Sequence, residues 1–360
     1  MQSPPLPEPF VTRMAADRLT EFCIRAMASV DMSEPDAQIT ADVLVRTDMR
    51  GIYTHGTVSL RRYIQLMRDG GIDPNAVPEV TAEGPAWALM DAHLAVGMVA
   101  SDAGMRTAIR KAQNTGVGMT TVRFSNHFGA ASAYTLMALE YGMAGIAMSN
   151  TDVVMGIPGA RGAQIGNNPL SYALPAGKHP ALVLDIAMST VSGGKVNSAK
   201  VRSKPIPEGW LTDGEGLPTT DPNVFLAEGA LTPFGAHKGY GLAMLVESFA
   251  GVLAGAAMTS DILSWANESE APCNEGHAFI AVDVATMMPD GQFEERTDEL
   301  ISRMKKAPRA KGSTRTYVPG EMEWECEGIS KEHGVPLTQL AVENLNGLAE
   351  DIGEHPFFRG

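Results

Sequence analysis

A chain of 360 residues, 44% hydrophobic and 19% charged, is long enough for two or three domains and has an ordinary globular balance. Its formal net charge of −14 argues against nucleic acid as a main partner, although a local pocket on an acidic protein can still be positive. Three scattered cysteines, Cys23, Cys273 and Cys326, form no CxxC and read as reduced thiols of a cytoplasmic protein.

The first nine residues are proline-rich, carry Glu8 and lack the apolar centre of a secretion signal. Thr12 is placed to cap a first helix whose apolar face is Leu19, Phe22, Cys23 and Ala26. Ser33, followed by Glu34, Pro35 and Asp36, starts a second helix that ends near Arg50-Gly51. A third begins after His55, carries Leu60, Tyr63, Ile64 and Met67, and stops at Gly70-Gly71. From Val80 the texture changes to strands alternating with helical patterns. Trp87–Asp91 reads as a strand, and so does the β-branched run from Met119 that breaks at Ser125-Asn126-His127. Gly145–Asn150, Ala181–Ile186 and Ala278–Asp283 read as further strands. The tract from Lys204 to Pro233, rich in Pro, Gly and Asp, reads as a long ordered loop. The run Gly239–Met258 is long enough to span a bilayer, but Glu247 sits in its middle. A helix buried in a soluble core is therefore expected, and no membrane partner. A helix from Asp298 to Lys305 follows. The last helix, with Leu337, Leu340, Leu345 and Leu348 on one face, is expected to pack back on the N-terminal helices. The resulting division is a helical domain over residues 10–75, completed by 325–355, and an α/β domain over 76–324.

Five polar clusters fall at the ends of these elements. His127 lies at a strand-to-helix turn, where a helix N-terminus disfavours imidazolium, so a neutral ring can polarise a carbonyl. His55 lies in a glycine-flanked turn with Arg50, Tyr53 and Thr54 nearby; it suits a proton donor to a substrate oxygen, or a turn residue beside a surface pair of Arg50. The glycine-rich stretch from Gly156 to Pro169 can let backbone approach a ligand, yet no G-x-G-x-x-G follows any strand. Asp185, at a strand end before Ser189, Thr190 and Ser192, suits a ribose or nicotinamide amide, the orientation of a histidine, or an N-cap for the following helix. His237-Lys238 opens the long apolar helix, where N–H groups plus a lysine make a phosphate site. A metal site built from His55, His127, His237 and Asp185 is the competing use of the same residues, without the short helical spacing of H-E-x-x-H.

Several stretches in register resemble one family: Arg50-Gly51-x-x-x-His55-Gly56, Ser125-Asn126-His127-Phe128-Gly129, Asn167-Asn168-Pro169-Leu170-Ser171, Ile206-Pro207-x-Gly209-Trp210, Pro218-Thr219-Thr220-Asp221-Pro222 and Lys238-Gly239-Tyr240-Gly241-Leu242. Together they span about Thr12 to Gly353 and resemble the malate/L-lactate dehydrogenase family that lacks a Rossmann fold. The resemblance implies an α/β chain in which a non-Rossmann mixed-sheet NAD(P)-binding domain is joined to a helical domain formed by both chain ends. It implies NAD(P)H as cofactor, hydride transfer at C2 of a small 2-oxo or 2-hydroxy acid or a related cyclic imine, and a homodimer. By this resemblance His55 is the proton donor, His127 a second active-site histidine, and Asp185 a partner of either the histidine or the cofactor. Arg50, Thr54 and Ser59 fall at substrate positions. Asn150, Thr151, Asn168, Pro169, Asp185, Ile186, Ala187, Met188, Ser189, His237, Lys238, Gly239, Pro319, Gly320 and Glu321 fall at cofactor positions, and no metal ligand is implied.

One departure bears on substrate choice. Ser59 stands where the family's arginine would grip the substrate carboxylate, and Arg50, Arg61 or Arg123 is left as a substitute. A non-catalytic nucleotide-binding paralogue and a metal-dependent hydrolase or lyase are the two alternatives from other classes.

Overall fold

A computed structural model describes residues 10–358, so the proline-rich start lies outside the described residues. In chain order the elements are β1 (Thr12–Met14), α1 (Ala16–Ala28), α2 (Glu34–Met49), α3 (Leu60–Asp69), β2 (Glu79–Glu83), β3 (Trp87–Asp91), α4 (Gly97–Thr115) and β4 (Val117–Ser125). They continue with α5 (Ser132–Leu139), β5 (Ala144–Ser149), β6 (Leu170–Leu174), β7 (Leu182–Ile186), α6 (Gly193–Val201), β8 (Leu211–Thr212), β9 (Pro218–Thr219) and β10 (Ala230–Leu231). The last are α7 (His237–Val246), β11 (Glu275–Val282), α8 (Val284–Met287), α9 (Gln292–Lys305), α10 (Glu321–His333), β12 (Val335–Leu337) and α11 (Gln339–Asp351).

A seven-stranded sheet in the order β2-β3-β4-β11-β5-β6-β7 forms the centre. Only β3 and β4 run parallel, joined by α4; the other pairs are antiparallel. Strand β11 shows why the sheet is sandwiched. Phe279 and Ala281 enter one core with Met105, Ile109, Val122 and Tyr134, while Ala278 enters the opposite core with Met148, Met188 and Val246. That alternation is the period-2 pattern of a strand buried on both faces.

A third core lies among α1, α2, α3 and α11, where Phe22, Leu44, Tyr63, Ile64, Leu345 and Leu348 are buried together. Strands β1 and β12 pair Thr12 with Leu337 and Met14 with Val335, so the two chain ends close on each other. Thr12 therefore belongs to a strand. Helix α1 starts at Ala16 with no side-chain cap, because ladder pairing has taken Thr12 away from the helix start. At α2 the reading holds: Ser33 accepts a hydrogen bond from the Asp36 N–H, with Pro35 in the first turn.

Gly97 allows α4 to start against the loop after β4, since a Cβ there would lie 2.3 Å from the Asn126 carbonyl oxygen and 2.4 Å from that of His127. The Asn126 side chain accepts from the Gly97 N–H at 3.0 Å and donates to the Ala95 carbonyl at 2.8 Å. The helix that supports the central sheet thus also fixes the turn carrying His127.

Two segments depart from the sequence reading. Residues 204–233 are not all loop but include a small sheet in the order β10-β8-β9. The run from Gly239 is α7 followed by a π-helical stretch, Glu247–Leu253, and it is not buried throughout. Leu242, Leu245, Val252 and Leu253 are 39–64% exposed, whereas Glu247 is buried. The Glu247 carboxylate accepts from Asn150 Nδ2 (3.3 Å), Asn168 Nδ2 (2.7 Å) and the Thr259 N–H (3.0 Å). Those donors satisfy the charge inside, which a hydropathy pattern does not register. Among the described residues no helix is long and apolar enough to cross a membrane.

Candidate active site

The turn after α2 is folded around a buried carboxylate. Asp48 accepts from the Thr57 N–H at 2.9 Å and from the Thr57 hydroxyl at 2.6 Å. Burial pushes its carboxyl up to about 7, against those hydrogen bonds. Gly56 makes room for this, because a Cβ there would lie 1.9 Å from Asp48 Oδ1. The outcome is a tight turn that presents His55, with the Thr54 hydroxyl 2.8 Å from its Nδ1.

His127 arrives from the other side, after β4. The rings of His55 and His127 are stacked with centroids 5.6 Å apart. Tyr63, projecting from α3, places its hydroxyl 2.5 Å from His127 Nδ1. Burial holds the Tyr63 phenol well above its ordinary range, so it stays protonated and donates to Nδ1. That fixes His127 as the tautomer with its proton on Nε2, available as a neutral donor. The Trp265 ring stacks on the same imidazole at 4.2 Å.

The two histidines differ electrostatically. Burial lowers both. His127 is pushed further down by His55 and His277 as neighbouring bases, while Asp185 pulls His55 back up. His55 is therefore the more readily protonated ring, and His127 the one held neutral. His277 lies behind them as a structural residue. It is pushed down to about 3 by burial, and its two ring nitrogens meet Ser149 and Ser125 at 2.9 and 2.8 Å.

Asp185, at the end of β7, does not cap the helix that follows it. Its Oδ2 accepts the Ser132 N–H at 2.7 Å, at the start of α5. Burial raises its pKa; hydrogen bonds from Ser132 and the charges of His55 and Arg50 oppose that rise. Asp185 thus anchors the helix beyond His127 and acts electrostatically on His55.

Arg50, Thr54 and Ser59 have separate fates. Thr54 contacts His55 as above. Ser59 is buried behind the turn, its N–H bonded to the Gly56 carbonyl. Arg50 is buried against α10, where Nη1 meets Glu327 at 2.8 Å and the guanidinium lies 4.3 Å from the Trp324 ring centroid. Its Nε and Nη2 are buried without a partner. Arg61 turns to Asp351 and Arg123 to Asp91, so neither faces the histidine pair.

The remaining sequence-nominated positions form a line along β7 toward the start of α7. The Pro319 carbonyl accepts the Val183 N–H at 3.2 Å, and Gly320, at φ +85°, packs so closely that a Cβ would lie 2.9 Å from the Val183 carbonyl oxygen. Glu321 accepts from Lys305. Beyond Asp185 and Ile186, the Met188 N–H donates to the Asn167 carbonyl at 2.7 Å, and Ser189 bridges to Pro233. Ala187 lies between them. Gly239 wedges beside Met188, and His237 and Lys238 stand exposed at a helix start that has no side-chain cap. The N–H groups of Lys238, Gly239 and Tyr240 already donate to the Gly235, Phe234 and Ala236 carbonyls, so the exposed Lys238 ammonium, next to a strand end, is the donor here that fits the pyrophosphate of a dinucleotide. Asn150 and Asn168 are buried and spent on structure. Asn150 bonds Gly276 and Ala257, Asn168 bonds Thr151 and Ala243, and the Pro169 carbonyl accepts from Ser149.

Tyr63, Trp265 and Glu275 were not nominated by sequence. Tyr63 reads only as part of an apolar helix face, and Trp265 lies 138 positions beyond His127, with no motif to link them. Glu275 is fully buried with neither carboxylate oxygen hydrogen-bonded, and burial followed by Asp152 holds its pKa well above the ordinary value. Among the described residues no group of three or more His, Cys, Asp or Glu is arranged to hold a metal.

Tyr63→Phe isolates the hydroxyl from the ring. It is expected to lower turnover about tenfold, less than the roughly 100-fold or more of a group that itself transfers the proton, and to cost about 1–3 kcal/mol for the buried Nδ1 left without its partner. Ring-nitrogen NMR of His127 is expected to show loss of the single Nε2–H tautomer; an unchanged tautomer would remove Tyr63 from that role.

The sequence profile of a family described as malate/L-lactate dehydrogenase matches residues 14–346. Malate dehydrogenase from Pyrococcus horikoshii is 34% identical over 348 residues, covering 95% of this chain and 96% of that protein. Its solved structure superposes with a TM-score of 0.89 at 31% identity, covering 96% of this chain and 97% of the other. L-sulfolactate dehydrogenase from Methanocaldococcus jannaschii is 34% identical over 333 residues, with 92% and 95% covered. Delta(1)-pyrroline-2-carboxylate/Delta(1)-piperideine-2-carboxylate reductase from Pseudomonas putida is 30% identical over 321 residues, with 89% and 91% covered.

Proposed function

The chain belongs to the malate/L-lactate dehydrogenase family and is an NAD(P)-dependent oxidoreductase, and on that premise we propose that its substrate is a small 2-oxo or 2-hydroxy acid or a related cyclic imine. The observation that carries this is the stacked His55–His127 pair, one ring coupled to Asp185 and the other held neutral by burial and Tyr63.

When bound, the nicotinamide supplies or accepts hydride at its C4. His127 directs its Nε2–H to the substrate oxygen and orients it. His55 gives a proton to that oxygen as charge develops in the reducing direction, and takes it back in the oxidising direction. Asp185 offsets the burial cost of the charged His55 ring. Lys238 would hold the phosphates, with Pro319, Gly320 and the segment from Asp185 to Ser189 contributing further cofactor contacts. Thr54 orients His55. The unpartnered N–H groups of Arg50, whose charge reaches Asp185, are the positive charge proposed to face the substrate carboxylate.

The protein acts as a cytoplasmic homodimer in this reading. Two features support it: three free cysteines and the exposed apolar side chains Leu242, Leu245, Val252 and Leu253, which a partner face would cover.

The test is fluorescence titration with NADH and NADPH, then turnover followed at 340 nm on a panel of 2-oxo acids and cyclic imines. Binding of one nucleotide with turnover of a panel member is expected. Binding without turnover would favour a non-catalytic paralogue, and no binding of either nucleotide would sink the proposal.

A further inference from the structure

The outer face of α3, opposite Tyr63, borders a cleft of about 450 Å³ whose charge runs against that of the whole molecule. Its lining includes Arg61, Arg62, Arg68, Gln65 and Asn344, with Asp351 as the sole acidic side chain. Positions 61, 65 and 68 follow helical spacing, so their side chains emerge in a row. Three guanidinium groups against one carboxylate leave a local charge of +2 in a chain with 28 basic and 42 acidic side chains.

The bonding of each arginine shows how much of that charge is available. Arg61 turns Nε and Nη2 to Asp351, at 2.8 and 3.2 Å. Arg62 turns Nε to the Trp265 carbonyl at 2.8 Å and Nη2 to the Glu268 carbonyl at 3.0 Å, so its hydrogen bonds go to neutral acceptors, while its charge also acts on Asp69. Arg68 is exposed and has no ion pair or hydrogen bond among the described residues. Asn344 is fixed by its bond to the Val58 carbonyl, which holds the opposite wall in place. One uncommitted guanidinium, Arg68, beside a second held by neutral carbonyls, in a cleft of ligand size, is an arrangement suited to planar, bidentate anions.

We propose that this cleft is a binding site for a small polyanion carrying two or more carboxylate or phosphate groups, separate from the hydride-transfer site. Its occupant also acts on the catalytic centre. Arg62 staples the segment that carries Trp265, and the Trp265 ring lies on His127. An anion on Arg62 competes with or reinforces that staple, so Trp265 reports its arrival.

The experiment is calorimetric titration of the cofactor-saturated protein with citrate and, separately, pyrophosphate, at constant ionic strength, with tryptophan emission recorded in parallel. Saturable one-to-one binding of at least one ion is expected. Arg68→Glu is expected to weaken it about tenfold or more, equivalent to roughly 1.4 kcal/mol, with basal turnover unchanged. Tighter citrate binding assigns the site to polycarboxylates, and tighter pyrophosphate binding assigns it to phosphorylated compounds. Arg161→Glu, an equal charge change at an exposed pair with Glu215, is the control. Absence of saturable binding, or equal weakening by Arg161→Glu and Arg68→Glu, would overturn the proposal. So would binding insensitive to Arg68→Glu, because the ion would then sit elsewhere.

Discussion

Replacing His55 by alanine is expected to lower kcat by roughly 100-fold or more while leaving NAD(P)H affinity nearly intact. Of the two stacked histidines, His55 is the one whose proton is supported by a carboxylate, since Asp185 raises its pKa against the effect of burial. His127 has no such support, and two neighbouring imidazoles add to its burial penalty. In the proposed mechanism, loss of the His55 ring removes the proton that the developing alkoxide needs, but leaves the surroundings standing. Asp185 keeps its bond to the Ser132 N–H, and the turn is still held by Asp48 and Thr57. The positions proposed to contact the cofactor along β7 and α7 do not include His55. Single-turnover rates and nucleotide fluorescence separate the two effects. A variant with unchanged kcat on the true substrate would take His55 out of proton transfer.

Glu327→Ala is expected to cost about 3–5 kcal/mol of stability, the range for breaking a buried ion pair by removing one partner. The side chains of Arg50 and Glu327 are 2% and 6% exposed, and two of the Arg50 nitrogens already lack partners. Removing Glu327 leaves that guanidinium buried against Trp324 without its ion-pair partner, balanced only at longer range by Glu323 and Asp185. An exposed pair gives the contrast: Arg25 and Glu354 are 48% and 37% exposed, so Glu354→Ala is expected to cost no more than about 1 kcal/mol. Burial pushes the Glu327 carboxyl up, but hydrogen bonds from Lys331 and Arg50 outweigh it and hold the pKa below 4.5. With the folded pKa depressed, the contribution is full above the ordinary carboxylate range and is lost as pH falls through the folded pKa. Urea denaturation of both variants at pH 7 and pH 4 checks the sizes and the pH dependence together. Equal costs for the two variants at pH 7 would contradict the burial argument.

Strands β3, β4, β5, β7 and β11 are legible in the sequence because each is an apolar run bounded by polar or turn residues. The same logic places His127 after β4 and Asp185 near the end of β7. Long-range pairing is what it misses. Thr12 looks like a helix cap until Leu337, 325 positions away, takes it into a ladder. Asp185 looks like a cap for its own helix, but its oxygen reaches the start of α5. Glu247 looks out of place in an apolar run until Asn150, Asn168 and Thr259 surround it. Motif spacing brings His55 and His127 to attention singly. Their stacking, and the roles of Tyr63 and Trp265, depend on how the helical layer meets the sheet. The arginines show the limit most plainly: Arg50, Arg61 and Arg123 are equivalent on paper, and each turns to a different acid in the fold.

The placement of β11 sets an order of events for the chain as it is made. Its residues, 275–282, insert between β4 and β5, which are finished by residue 149. A nascent chain that has not yet exposed residue 282 therefore holds two unpaired central edges, each able to pair with a stranger. Neither face of the sheet can complete its core before then, because Ala278 and Phe279 belong to opposite cores. The helical layer waits longer still, for β12 and α11 to return to β1 and α3. Closure of this fold is thus an event of late synthesis, with the slow, non-local pairing and the exposure to aggregation that such topologies carry.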